Sequence, residues 1–104
     1  PIRGPCFYGI DISTVSELLI PRYEGGPRKG EVSKEVIAKI TKDLGADSLK
    51  YQTIAGLVRS IGKPAKGLCM ACLTGDYPTP HGKKLYMKAW ENFRKGVKER
   101  TYAC

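Results

Sequence analysis

Three cysteines are the residues whose type and spacing indicate chemistry. Cys69 and Cys72 form a Cys-x-x-Cys pair, and Cys6 lies in the first apolar run. A tight turn points two thiolates at this spacing in the same direction, so the pair can bind one metal. A tetrahedral site or a cubane cluster needs four ligands, and the candidates for the fourth are Cys104, His81 or a residue outside the chain. The spacing leaves open that the pair is two inert thiols beside a turn.

Asp11 is the other candidate site residue, because it directly follows the apolar residues 6–10. Polar residues at the carboxyl ends of strands line the ligand crevice of open α/β sheets. The equal alternative is that Asp11 caps the turn that follows. The chain has no Gly-rich phosphate loop of a standard type, and its single histidine leaves no Ser/His/Asp arrangement to propose. The sequence therefore contains no complete active site, and we assign it no catalytic residue.

Length and composition indicate one globular domain spanning residues 1–104. The chain is 41% hydrophobic and 27% charged, which excludes a wholly disordered chain and a coiled-coil rod. No apolar stretch is long enough to span a membrane. Four cysteines are too few for a disulfide scaffold, so we expect reduced thiols and a cytoplasmic protein. Because the sequence begins with Pro1, we expect a piece of a longer protein.

The positive charge is concentrated towards the C-terminus. The formal net charge is +8, and residues 81–104 contain seven lysines and arginines against two glutamates. Such a segment can bind nucleic acid or an anionic ligand. A solvated face of a basic C-terminal helix is the favoured interpretation.

The hydrophobic pattern predicts a mixed, helix-rich α/β fold with one or two short strands and three to four helices. Strands are predicted at residues 6–10 and 48–51, and a Cys-x-x-Cys turn lies within an irregular segment, 68–80. The predicted helices are a short one that Pro21 ends, one over 33–44, one from 52 or 53 to 61, and one over about 83–100. Residues 21–31 contain three glycines and two prolines and are predicted to be an exposed loop insertion.

Three strings of sequence resemble one enzyme family. They are PCFYGIDIST at 5–14, GADSL at 45–49 and CMACLTGDYPT at 69–79, with Glu17-Leu18, Gly56-Leu57 and Ile61-Gly62 between them. In this order they closely resemble the C-terminal part of amidophosphoribosyltransferase. The resemblance extends from residue 1 to about residue 79, whereas residues 81–104 carry no family signature.

The resemblance implies part of a phosphoribosyltransferase-type domain. The full enzyme releases ammonia from glutamine in an N-terminal glutaminase domain and makes phosphoribosylamine from phosphoribosyl pyrophosphate with Mg²⁺, the first step of purine synthesis. Some members hold a [4Fe–4S] cluster with four cysteines, of which three map onto Cys6, Cys69 and Cys72. The fourth ligand belongs to an upstream segment, unless Cys104 replaces it, and Zn²⁺ is the alternative metal. Asp11 matches a family aspartate near the phosphoribosyl region and is the expected substrate-binding residue.

The chain lacks two catalytic features of that family. It has no glutaminase nucleophile and no phosphate-binding loop with two adjacent aspartates. The resemblance therefore implies a portion that is inactive alone. Its expected partners are the glutaminase domain and the upstream transferase segment, in an enzyme that forms homo-oligomers.

Two other hypotheses stay open from the sequence. One is a small cysteine-ligated metal module that binds nucleic acid or a partner protein. The other is a packing piece of a larger assembly, in which apolar residues of the last helix cover a neighbouring surface. These residues are Leu85, Tyr86, Trp90 and Phe93.

Overall fold

The computed structural model describes residues 4–8, 14–26 and 30–98. The regular secondary structure in these ranges is helical, and they contain no β-strand. The α-helices are α1 (Leu19–Glu24), α2 (Lys34–Leu44), α3 (Ile54–Ile61), α4 (Ala71–Thr74) and α5 (Pro80–Arg94). Short 3-10 helices lie at Val15–Glu17 and Ala65–Gly67. None of the helices in these ranges is both long and apolar enough to cross a membrane.

The predicted strand at 48–51 is wrong, since residues 48–53 have no regular secondary structure. An alternating pattern forms a strand only where a partner strand completes its hydrogen bonds, and the described ranges offer none. The other predicted strand, 6–10, falls partly outside these ranges, and its residues 7–8 form a turn. Asp11 also lies outside the described residues.

The two central helices begin and end where their capping residues predict. The Ser33 Oγ accepts a hydrogen bond from a backbone N–H of α2 at 3.3 Å, and α2 ends at Gly45, whose φ is 64°. The Thr53 Oγ1 caps α3 in the same way at 2.9 Å, and α3 ends at Gly62, with φ 71°. Side-chain caps satisfy the free N–H groups of the first turn, and glycine adopts the left-handed conformation without a Cβ clash.

Pro21 does not end the first helix, contrary to the sequence prediction. It is the third residue of α1, which continues to Glu24. The N–H groups of a first helical turn have no acceptor within the helix, so a proline there removes no helical hydrogen bond. Pro21 is also buried, and because α1 includes residues 21–24, the predicted loop at 21–31 is wrong for its first four residues.

The segment around the cysteine pair is more regular than predicted. Cys69 precedes α4, and Cys72 is the second residue of this one-turn helix, which ends at Gly75 with φ 76°. The predicted Cys-x-x-Cys turn is therefore replaced by a helical turn that contains the second cysteine.

The basic helix is shorter than predicted at its C-terminal end. Thr79 caps α5, which begins at Pro80 and ends at Arg94, and Gly96 then adopts a φ of 70°. A left-handed glycine at this place stops the helix before residue 100. Residues 99–104, including Cys104, lie outside the described ranges.

The core is aromatic and is built mainly on α5. Its buried residues are Phe7, Val15, Ala71, Tyr77, Leu85, Ala89 and Trp90, with Tyr8, Tyr86 and Phe93 packed against them. Leu85 and Trp90 are 9% and 7% exposed. The apolar face of the last helix is therefore core, and the hypothesis that it forms an uncovered packing surface is wrong.

The molecule is flat. Its Cα radius of gyration is 14.3 Å and its extents are 41 × 37 × 18 Å, whereas a compact domain of about 100 residues has a radius near 13 Å. Within the described ranges, α1 packs on α2 and on Val15–Glu17, and α5 also packs on Val15–Glu17. No other helix there packs closely along α3.

Candidate cysteine site

Tyr77 fixes the N-terminal segment that carries Cys6. Its side chain is 1% exposed, and its hydroxyl accepts a hydrogen bond from the Phe7 backbone N–H at 3.1 Å. The same hydroxyl donates to the Pro5 carbonyl oxygen at 3.4 Å. Pro5 and Phe7 are the two neighbours of Cys6, so the tyrosine holds the backbone on both sides of that cysteine.

The N-terminal segment also lies directly against the Cys-x-x-Cys segment. A Cβ atom added to Gly4 would lie 2.6 Å from the carbonyl oxygen of Cys72. Real Cβ atoms essentially never approach an oxygen so closely, so only glycine fits here. The segments that carry Cys6 and Cys72 are therefore in contact, although they are far apart in sequence.

The pKa of Tyr77 is raised in the folded chain. Burial raises the pKa of Tyr77 to about 12, and the hydrogen bond from Phe7 opposes this rise. Negative charge on Cys6, Cys72 and Cys69 raises the pKa further, to a smaller extent than burial does. The three cysteines therefore influence the same hydroxyl group.

The three thiols are not yet arranged as a metal site. Cys6 and Cys72 are half-buried, Cys69 is exposed, and none of the three is in a disulfide bond. Among the described residues, no group of three His, Cys, Asp or Glu side chains is placed to hold a metal ion. The fold brings the segments that carry Cys6 and Cys72 into contact, but it does not arrange the sulfur atoms as a set of metal ligands. The alternative fourth ligand, His81, is exposed on α5.

Aromatic rings pack around this hydroxyl. The Tyr77 ring centroid lies 5.8 Å from Phe7, 5.6 Å from Tyr86 and 5.1 Å from Tyr8. Tilted and edge-on pairs at such distances are favourable contacts between aromatic rings. Sequence reasoning missed Tyr77 because it lies in a Gly- and Pro-rich segment with no periodicity; the one signal was a large aromatic residue within that segment.

Tyr8 links the N-terminal segment to the start of α5. Its hydroxyl makes a 2.8 Å hydrogen bond with the Thr79 Oγ1, which also accepts the Gly82 backbone N–H at 3.0 Å. The Tyr8 ring occupies the space that a Cβ at Gly82 would need. This contact positions α5 against the chain just before Asp11, whose substrate-binding role stays a prediction.

A small cavity adjoins the cysteine segment. Its volume is about 40 Å³, and Phe7, Cys72, Tyr77 and Trp90 are among the residues that line it. A cavity of this size holds about three water molecules. It is too small for a nucleotide, so the cavity does not define a ligand site.

Comparison with known proteins gives a consistent family of relatives. The chain is 39% identical over 83 residues to the amidophosphoribosyltransferase of Bacillus subtilis, an alignment that covers 76% of this chain and 15% of that protein. It is 41% identical over 78 residues to the amidophosphoribosyltransferase of Methanocaldococcus jannaschii, covering 75% of this chain and 14% of the relative. No family model and no solved structure matches the chain.

A third relative extends the similarity towards the C-terminus. The amidophosphoribosyltransferase of Staphylococcus epidermidis is 40% identical over 100 residues, covering 92% of this chain and 17% of that protein. Only about 8% of the chain lies outside this alignment, so it includes most of residues 81–104. The alignment with this relative therefore extends beyond residue 79, where the recognisable strings end.

These relatives are transferases by name, and only a limited stretch of each relative matches this chain. The chain spans about 15% of the length of the curated relatives that it matches. The resemblance to amidophosphoribosyltransferase is thereby confirmed, and the chain corresponds to one part of such an enzyme.

Proposed function

We propose that this chain acts as the C-terminal part of the transferase domain of an amidophosphoribosyltransferase. The whole enzyme would make phosphoribosylamine from phosphoribosyl pyrophosphate and glutamine, the first step of de novo purine synthesis. The observation that carries this proposal is the identity of about 40% to relatives of that name along three-quarters or more of the chain.

The chain would contribute structure and part of a binding surface and no complete catalytic centre. The glutaminase nucleophile and the phosphate-binding loop would come from the rest of the enzyme, together with the Mg²⁺ site. Asp11 is the residue of this chain that would contact the phosphoribosyl substrate, by resemblance to the family. Alone, the chain should form no phosphoribosylamine.

Cys6, Cys69 and Cys72 would supply three ligands of a [4Fe–4S] cluster. The donor set fits in its chemistry, because thiolates are the ligands that iron–sulfur clusters require. Two contacts support the proposal: Tyr77 bonds to both neighbours of Cys6, and Gly4 lies against the backbone of Cys72. The fourth ligand would come from an upstream segment or from Cys104, and the side chains would have to turn towards a common centre.

The role of such a cluster here would be structural. Bound metal would cross-link the N-terminal segment to α4, and the Tyr77 hydrogen bonds join the same N-terminal segment to the residues that follow α4. Because the ligands are far apart in sequence, metal binding energy would add to folding energy. Zn²⁺ bound to the same thiolates would serve the same purpose.

A segment exchange tests the proposed function. The aligned stretch of the Staphylococcus epidermidis enzyme is replaced by this chain to give a hybrid enzyme. We expect the hybrid to form phosphoribosylamine within about tenfold of the parent rate, and the isolated chain to form none. A folded hybrid without activity would contradict the proposal, and so would activity of the isolated chain.

The nucleic-acid hypothesis gains no support from the relatives. All three named above are amidophosphoribosyltransferases, and none is described by name as a nucleic-acid-binding protein. We therefore do not propose it.

A further inference from the structure

One apolar surface is only partly covered within the described part of the chain. It lies along α3, and we call it the α3 face. Its residues are Ile54, Leu57, Val58 and Ile61. Ile61 is 48% exposed, and Leu44 at the end of α2 is a second exposed large apolar residue, at 54%.

The residues that the structure describes leave the α3 face partly open. Ile54, Leu57 and Val58 are only half-buried, although they recur at the helical spacing that marks a core-facing stripe. The backbone N–H of Ile54 is held by the Glu31 carboxylate at 2.9 Å, so α3 is attached at its first residue. Along its length, no other helix of the described ranges packs closely on it.

The surroundings of the α3 face are basic. Residues 42–66 contain five lysines and arginines and two aspartates. All five basic side chains are exposed, namely Lys42, Lys50, Arg59, Lys63 and Lys66. Of the two aspartates, Asp43 accepts a hydrogen bond from the Tyr23 hydroxyl at 2.5 Å. A matching surface would therefore be apolar at its centre and acidic at its edge.

We propose that the α3 face is the surface on which the remainder of the amidophosphoribosyltransferase packs, through an apolar patch edged with carboxylates. This inference rests on the proposed function and names the partner surface that the function requires. The relatives carry about 85% of their length outside the stretch that matches this chain. The remaining protein is large enough to cover α3. The chain itself is thin, since its shortest dimension is 18 Å.

The test compares two substitutions of exposed apolar residues in the hybrid enzyme and in the isolated chain. Ile61→Lys places a charge on the α3 face, and Met87→Lys is the matched control on α5, where Met87 is 69% exposed. In the isolated chain both substitutions should shift the melting temperature by no more than a degree or two, because neither side chain is buried there. In the hybrid we expect Ile61→Lys to reduce phosphoribosylamine formation at least tenfold and to lower the melting temperature, and Met87→Lys to do neither.

Three results would overturn the inference. If Ile61→Lys leaves the activity and melting temperature of an active hybrid unchanged, the face is not covered and the proposed function still stands. If the unsubstituted hybrid folds but is inactive, the proposed function fails and the inference fails with it. If the isolated chain binds vesicles of anionic phospholipid and Ile61→Lys abolishes that binding, the face contacts lipid.

Discussion

The backbone N–H of Phe7 donates to the hydroxyl of Tyr77 at 3.1 Å, across 70 positions of sequence. This hydrogen bond joins the N-terminal segment, which carries Cys6, to the segment that follows α4 and the Cys69–Cys72 pair. Both residues are buried, so the loss of one partner would be costly. Tyr77 therefore holds the N-terminal segment in place.

Replacing Tyr77 by phenylalanine tests that dependence. Tyr77→Phe leaves the buried Phe7 N–H without its acceptor, which costs about 1–3 kcal/mol. For a chain of this size we expect the melting temperature to fall by roughly 4–8 °C for each kcal/mol. Tyr23→Phe is the control, because it also removes one hydroxyl hydrogen bond, to Asp43, but at an exposed site. Equal losses of unfolding free energy for the two variants, measured by urea denaturation, would contradict the role assigned to Tyr77.

Stability should depend on the ionisation of Tyr77 at alkaline pH. Burial raises the pKa of Tyr77 from 10.0 to about 12 in the folded chain. The neutral phenol is the form that the fold favours, so its contribution is complete below pH 10 and is lost as the pH rises towards 12. Unfolding free energy measured across this range should fall more steeply for the parent chain than for Tyr77→Phe. Parallel curves would show that Tyr77 ionises freely in the folded state.

The contact between Gly4 and Cys72 gives a prediction about packing. Gly4→Ala puts a Cβ against the Cys72 carbonyl oxygen, where an ideal atom would lie at 2.6 Å. The segments must move apart, and we expect a loss of about 1–3 kcal/mol in unfolding free energy. Gly67→Ala is the matched control, because a Cβ there meets nothing within 4 Å. Its expected effect is neutral or stabilising by up to about 1 kcal/mol, through a less flexible unfolded chain. A Gly4→Ala variant as stable as Gly67→Ala would contradict the contact.

The sequence predicted the parts of the fold that local rules determine. The bounds of α2 and α3 follow from Ser33, Gly45, Thr53 and Gly62, whose capping roles act within a few residues. Pro21 misled the prediction because its effect depends on where in the helix it lies, and the start of α1 has no polar side-chain cap to mark it. The predicted end of α5 was too late, because the apolar periodicity continues as far as Val97. The helix ends before Gly96, which adopts a positive φ.

The site was less predictable, because its contacts are between distant segments. The type and spacing of Cys69 and Cys72 indicated thiol chemistry, but no local pattern connects them to Cys6. The connection between the two segments depends on Tyr77, whose partners lie 70 and 72 positions away, and on the space left by Gly4. Similarly, the α3 face could not be distinguished from a core stripe by periodicity, since the pattern is the same whether or not another surface covers it.

The metal content of the hybrid enzyme tests most directly the proposal that Cys6, Cys69 and Cys72 would form one ligand set. We predict about four iron atoms and four acid-labile sulfides per chain, or about one zinc atom if Zn²⁺ takes the site. Cys72→Ser should lose this metal and lower the melting temperature, whereas Met70→Leu, a control in the same motif, should keep both. Loss of metal in Cys104→Ser would identify the fourth ligand in this chain, and retention would place it upstream. An active hybrid with neither metal, and with the same melting temperature for Cys72→Ser as for the parent, would contradict the claim.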